Sequence, residues 1–259
     1  MPTDPIAWFT AHAGVTALAF ARALGLAWTA PGLATPGLGA RFRLLLALLL
    51  GVVLAPAVNA VAGPNPAAGW TWPAVVAACL GEALVGGALG WSAALVVAGA
   101  RQAGDLVGAQ AGFAPAALFD PEAGDDLTAL GHLYGLVALG VFLSLDGPLA
   151  LVRSLVESYR VVPPGGAFGF ASGEDVAALA FGRVGQALAL SLRAAAPAAL
   201  ALALAGLALG LLGRAAPSLQ LLSLAVPVRV TLGLVLVVLG LAGVAATFAA
   251  AWSVWPGGG

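Results

Sequence analysis

The chain has 259 residues, of which 61% are hydrophobic and only 8% charged, and its net charge is −1. A soluble domain carries roughly 25% charged residues, so this chain cannot cover a water-facing surface of its own size, and its mean hydropathy of +1.04 reads as a polytopic membrane protein, a chain almost entirely buried in partners, or both. The near-neutral balance gives no footprint for nucleic acid. The single cysteine, Cys79, excludes an intramolecular disulfide and a thiolate metal site. Every basic side chain is arginine.

In chain order, the first apolar run is Ile6 to Ala30, interrupted by His12 and Arg22 and closed by Pro31 and Pro36. An acid and no base precede it, so it reads as a retained helix rather than a cleaved leader. Arg41 and Arg43 introduce a second run, Leu44 to Ala62. A loop with Pro64, Pro66, Trp70 and Trp72 comes next, and tryptophan suits a membrane interface. The third run, Pro73 to Ala100, is broken by Glu82. A fourth spans Leu127 to Leu145 and ends at the turn Asp146-Gly147-Pro148. Leu149 to Val162 has the spacing of an amphipathic helix, with Arg153, Glu157 and Arg160 interleaved among apolar residues. Glu174 to Arg193 is a second amphipathic stretch, with Ser172 as its N-cap. It runs into the charge-free Ala194 to Gly213, with Pro197 at the junction as a kink or hinge. Val228 to Trp252 is the last run. The expectation is an all-α fold in one domain over 1–259, with about six membrane-length helices and two amphipathic ones.

Two features stand out against this apolar background. Glu82 is an acid inside a Leu/Val/Ala helix, which marks a functional site by default. Its structural alternative is a carboxylate bonded at a helix interface, with Arg22 or Arg193 as partner. Gly86 and Gly90 come after it at a spacing that lets helices approach closely. The second feature is the segment from Arg101 to Asp126. It carries Gly104, Gly108 and Gly112 at a spacing of four, a pattern that serves either close packing or a helix break. It also holds Asp105 and Gln110, expected with Glu82 and Arg214 as buried polar structural residues. Gly112-Phe113-Ala114-Pro115 then opens an apolar tip ending at Phe119, succeeded by Asp120, Glu122, Asp125 and Asp126. Such a tip fits a re-entrant loop that plugs a cavity, or an ordinary interfacial loop anchored by phenylalanine.

Enzyme signatures are missing. His12 and His132 are isolated, and the chain has no HExxH, no GxSxG and no P-loop. No catalytic residue, metal or cofactor is expected. A small ion-coupled transporter using Glu82 or Asp105 is the main rival reading, but such transporters show two related halves, and none is visible. A scaffold without a gated pore is a third.

The arginines orient the chain poorly. Arg41, Arg43, Arg101 and Arg214 agree with an N-out arrangement under the positive-inside rule, while Arg153, Arg160, Arg183 and Arg193 violate it. Helices buried in a protein assembly rather than in lipid would remove the conflict.

The run AGDLVGAQAGFAPAALFDPEAG, the helix ending FLSLDG, the segment ESYRVVPPG and the C-terminal AAPAALALALAGLALGLLGRAAPSLQLLSLAVPVRVTLGL resemble, in order, the flagellar biosynthetic protein FliR family, which includes the T component of injectisomes. The Glu82-x-x-x-Gly86-x-x-x-Gly90 pattern fits as well. Two positions depart from it, Pro148 where the family often has His and Ser218 where it usually has Gln. The resemblance implies a subunit of the type III export gate in the bacterial inner membrane, within the flagellar basal body. It implies FliP-like and FliQ-like partners around a central pore, FlhB-like and FlhA-like neighbours, and unfolded export substrates. It implies that the segment matching Gly112–Phe119 is a plug that keeps the pore shut.

Overall fold

A computed structural model of the chain describes residues 5–34, 37–62, 70–112, 129–166, 173–215 and 221–253. Among them there are seven helices and no strand: α1 Pro5–Thr29, α2 Ala40–Ala62, α3 Trp72–Ala111, α4 Ala129–Ser144, α5 Gly147–Val161, α6 Gly173–Ala215 and α7 Leu221–Ser253.

Leucine and alanine dominate these helices, and the breaks fall where the local chemistry demands them. α1 stops before Pro31, and Gly32 takes a left-handed φ of 82°, a conformation glycine adopts without strain. α4 ends in a turn at Asp146, which sits in the left-handed region with φ 53° and ψ 33°, and Pro148 then occupies the first turn of α5. Aspartate is among the few side chains that tolerate such a backbone, and proline suits a helix start.

Among the described residues, four helical stretches are long and apolar enough to cross a membrane: Ala40–Ala60, Trp72–Ala111, Gly182–Ala215 and Pro227–Trp252. The number becomes five if α4 and α5 together form one bent span, and Ala13–Thr29 in α1 is apolar but shorter. This corrects the expected six. Two of the apolar runs are only part of longer helices. α3 continues through Gly104 and Gly108 to 40 residues, and α6 joins the second amphipathic stretch to the leucine-rich run over 43 residues. At 1.5 Å per residue α3 is about 60 Å long and α6 about 65 Å. A hydrocarbon core is about 30 Å thick, so each helix extends well beyond it. α6 also passes unbroken through Pro197, which is exposed. Ser172, the expected cap of α6, lies outside the described residues.

The chain divides into two compact units. The first comprises residues 1–94, 146–183 and 256–259, the second 95–145 and 184–255. In the first unit α1 lies along α2, and Gly51 of α2 meets the Phe20 backbone so closely that a methyl there would stand 2.9 Å from Phe20 Cα. In the second unit α3, α4, α6 and α7 share a core of Ala100, Ala103, Val107, Leu130, Tyr134, Ala198, Leu202, Phe248 and their neighbours. Half of that core is alanine, so backbones come close while little apolar area is buried per residue. Large aliphatic side chains point outward instead: Leu84 and Val238 are each 73% exposed and Leu239 76%.

Candidate functional site: a buried ion pair and two glycine crossings

The first unit closes on charge. Arg22 of α1 and Glu82 of α3 are both fully buried, and Arg22 Nε donates to Glu82 Oε2 at 2.6 Å. The remaining arms are also used. Arg22 Nη1 donates to Ser158 Oγ at 2.9 Å and Nη2 to the Val162 carbonyl at 3.0 Å. The Arg22 guanidinium carbon lies 4.0 Å above the Tyr159 ring centre, a cation–π contact. Glu82 Oε1 accepts the Gly165 N–H at 2.8 Å. Ser158 in turn donates to the Leu155 carbonyl at 2.6 Å. A buried charge is tolerated only when paired and hydrogen-bonded, and here both charges are.

Glycine makes the pairing reachable. A methyl on Gly86 would collide with the Arg22 carbonyl, one on Gly25 with the Ala83 carbonyl, and one on Gly90 with the Thr29 hydroxyl. Thr29 Oγ1 bridges the crossing by donating toward the carbonyls of Gly87 at 2.9 Å and Gly25 at 3.1 Å. α1 and α3 therefore touch backbone to backbone over more than a turn, which brings two side chains 60 positions apart into contact.

The second crossing joins α3 to α4. A methyl on Gly104 would strike the Leu130 carbonyl, and Asp105 lies against Gly131. The Arg101 side chain lies across Gly135, with its Cγ 2.8 Å from where a methyl would stand. Gly108 is buried on the same helix. α3 ends at Gly112, whose φ of +93° leaves helical geometry and where a methyl would meet nothing within 4 Å among the described residues.

The residues singled out in the sequence fall into separate places. Glu82, Gly86 and Gly90 sit at the α1–α3 crossing, with Arg22 rather than Arg193 as the carboxylate's partner. Arg193 is exposed on α6. Gly104 and Asp105 sit at the α3–α4 crossing. Of the four polar residues expected to be buried, only Glu82 is fully so. Asp105 is half-buried, and Gln110 and Arg214 are exposed on this chain, a correction that reflects their places in the last turns of α3 and α6. Phe113, Ala114, Pro115 and Phe119, with Asp120, Glu122, Asp125 and Asp126, lie outside the described residues. Sequence reasoning did not single out Gly25, Ser158, Tyr159 or Gly165 as site residues. The only signal was indirect: a lone arginine and a lone glutamate in separate apolar helices each require a partner. Among the described residues no group of His, Cys, Asp and Glu is placed to hold a metal ion.

Fold and composition thus define an all-helical, membrane-embedded protein whose helices cross on glycine. Residues 13–254 match the family described as bacterial export proteins, family 1, and the chain belongs to that family. It is similar to the flagellar biosynthetic protein FliR of Caulobacter vibrioides, with 32% identity over 231 residues covering 89% of this chain and 90% of the relative. It is also similar to proteins of the same name from Escherichia coli K12, at 32% identity over 82% of this chain and 78% of the relative, and from Pectobacterium carotovorum, at 30% over 83% and 79%.

Proposed function

We propose that this chain is the FliR-type subunit of a flagellar type III protein-export gate in the bacterial inner membrane. The observation that carries the reading is the near-complete, ordered similarity to proteins named for flagellar biosynthesis, within a family that matches 13–254. In this reading the chain performs no catalytic step. It joins FliP-like and FliQ-like subunits around a pore, beside FlhB-like and FlhA-like proteins, and unfolded substrates pass through. The exposed leucine and valine faces and the alanine-rich core support assembly with other helices, because a chain that buries so little apolar area gains stability from neighbours.

The gating element in this reading is Gly112 to Phe119. Its entry is a helix end at Gly112 with a left-handed backbone, and its apolar tip excludes water from a narrow pore, as hydrophobic constrictions do. Two experiments test the proposal. Deleting the gene from its own host should abolish flagellar filaments and swimming, and a plasmid copy should restore both. Replacing Phe113 and Phe119 with serine should raise ion leak across the membrane while the subunit still co-purifies with its neighbours. A motile deletion strain would overturn the export reading. An unchanged leak in the assembled variant would remove only the plug.

A further inference from the structure

We infer that the Arg22–Glu82 pair is a socket that seats the turn Val162–Gly166, and that Arg22 is a positioning residue for the chain's path from α5 toward α6. The pair is built with only one contact of its own, Arg22 Nε to Glu82 Oε2. A pair selected simply to join α1 to α3 would be expected to use the parallel two-bond geometry that arginine and carboxylate favour. Here every other polar arm faces the end of α5 and the turn after it. The two terminal nitrogens of Arg22 hold Ser158 and Val162, its flat face lies on Tyr159, and Glu82 Oε1 holds the Gly165 amide.

The turn is shaped to fit. α5 closes at Val162, whose extended backbone aims its carbonyl at Arg22 while its own N–H caps the helix on the Ser158 carbonyl at 2.8 Å. Pro163 and Pro164 stiffen the next two positions. Gly165 takes a φ of +80° and presses against the Trp70 ring, so that any side chain would collide there. The Gly166 N–H then returns to the Pro163 carbonyl at 2.9 Å. α6 begins at Gly173, so the seated turn fixes the point from which the chain sets out toward its longest helix. This inference stands on the geometry of the first unit and does not depend on the export reading.

Hydrogen exchange on the full chain, extracted from its host membrane with whatever it assembles with, tests the socket. Pro163 and Pro164 have no amide, so a peptide ending at Gly166 reports the Gly165 and Gly166 amides with little background. Arg22→Lys keeps the charge opposite Glu82 but replaces the planar fork by a point charge that cannot hold Ser158, Val162 and the Tyr159 face together. The expected result is exchange at Gly165 and Gly166 faster by roughly tenfold or more, with α1 and α3 protected as before. Gly165→Ala, which unseats the turn from its own side, should give the same local effect, and the double variant should be no worse than either single one. Ser158→Ala should produce a smaller change in the same peptide. Wild-type exchange of the turn in Arg22→Lys would overturn the inference. So would protection lost equally across α1 and α3, or fully additive effects in the double variant.

Discussion

Around Arg22 the chain closes its helices on an ion pair, whereas around Ala103 it closes them on methyl groups. Both interiors rely on glycine to bring backbones together, at Gly25, Gly86 and Gly90 in the first and at Gly104 in the second. They differ in the groups that the close approach brings together. In the first, each guanidinium nitrogen of Arg22 and each carboxylate oxygen of Glu82 has a named partner, which ties the pair to one arrangement. In the second, half of the packed core is alanine, and the helices meet chiefly on small apolar side chains. The polar interior specifies register and the apolar one supplies close packing. In the proposed assembly, the first unit is determined within the chain and neighbours complete the second.

The largest expected effect lies in the polar interior. Glu82→Ala or Arg22→Ala leaves one fully buried charge without its partner, a loss of about 3–5 kcal/mol. Either variant should fail to accumulate in the membrane, as an immunoblot of membrane fractions would show. Glu82→Gln keeps the shape and one acceptor but removes the counter-charge of Arg22, so it should accumulate less than the wild type and more than Glu82→Ala, and the protein that does assemble should still support swimming. Export lost in an assembled Glu82→Gln protein would instead mark Glu82 as a titrating group.

Next come the crossings. Gly86→Ala forces a methyl against the Arg22 carbonyl, and Gly104→Ala forces one against the Leu130 carbonyl. Backbone cannot yield as a side chain does, and overpacking of this kind costs about 1–3 kcal/mol. If the two units differ as described, no partner should rescue Gly86→Ala, whereas Gly104→Ala should recover when FliP-like and FliQ-like proteins are co-expressed. Thermal melting of the purified chain with and without them measures both. Equal rescue would erase the distinction between the units.

A smaller version of the same test is Ala103→Val in the alanine core, where extra methyls meet tight packing in a cluster of buried apolar side chains. It should lower the melting temperature of the chain without altering the hydrogen exchange of residues 158–166.

The smallest effect is expected at Gly210 of α6, where a methyl would meet nothing within 4 Å among the described residues. Alanine there should stabilise the isolated chain by about 0.5–1 kcal/mol through helix propensity. Reduced co-purification with neighbours in the same variant would show that this open glycine face is covered in the assembly.

Much of this protein was legible in its residues. Its lack of charge required a membrane or an assembly, its apolar runs located the helices, and the motifs from AGDLVGAQAG to the proline-containing C-terminal run led to the export-protein family that matches residues 13–254. The sequence also required that Arg22 and Glu82 each be neutralised, because neither lipid nor an alanine core tolerates a lone charge. Which residues would do so was beyond it. Arg22 and Arg193 were equal candidates for Glu82, and the choice was made by a backbone crossing between helices distant in sequence. The glycines at 104 and 108 were likewise ambiguous, since glycine weakens a helix by only about 1 kcal/mol. Contact with α4 outweighs that cost, and α3 runs on to Gly112. The lengths of α3 and α6 were hidden for a related reason: hydropathy reports which stretches suit lipid, whereas a helix continues wherever its backbone bonds and its neighbours allow.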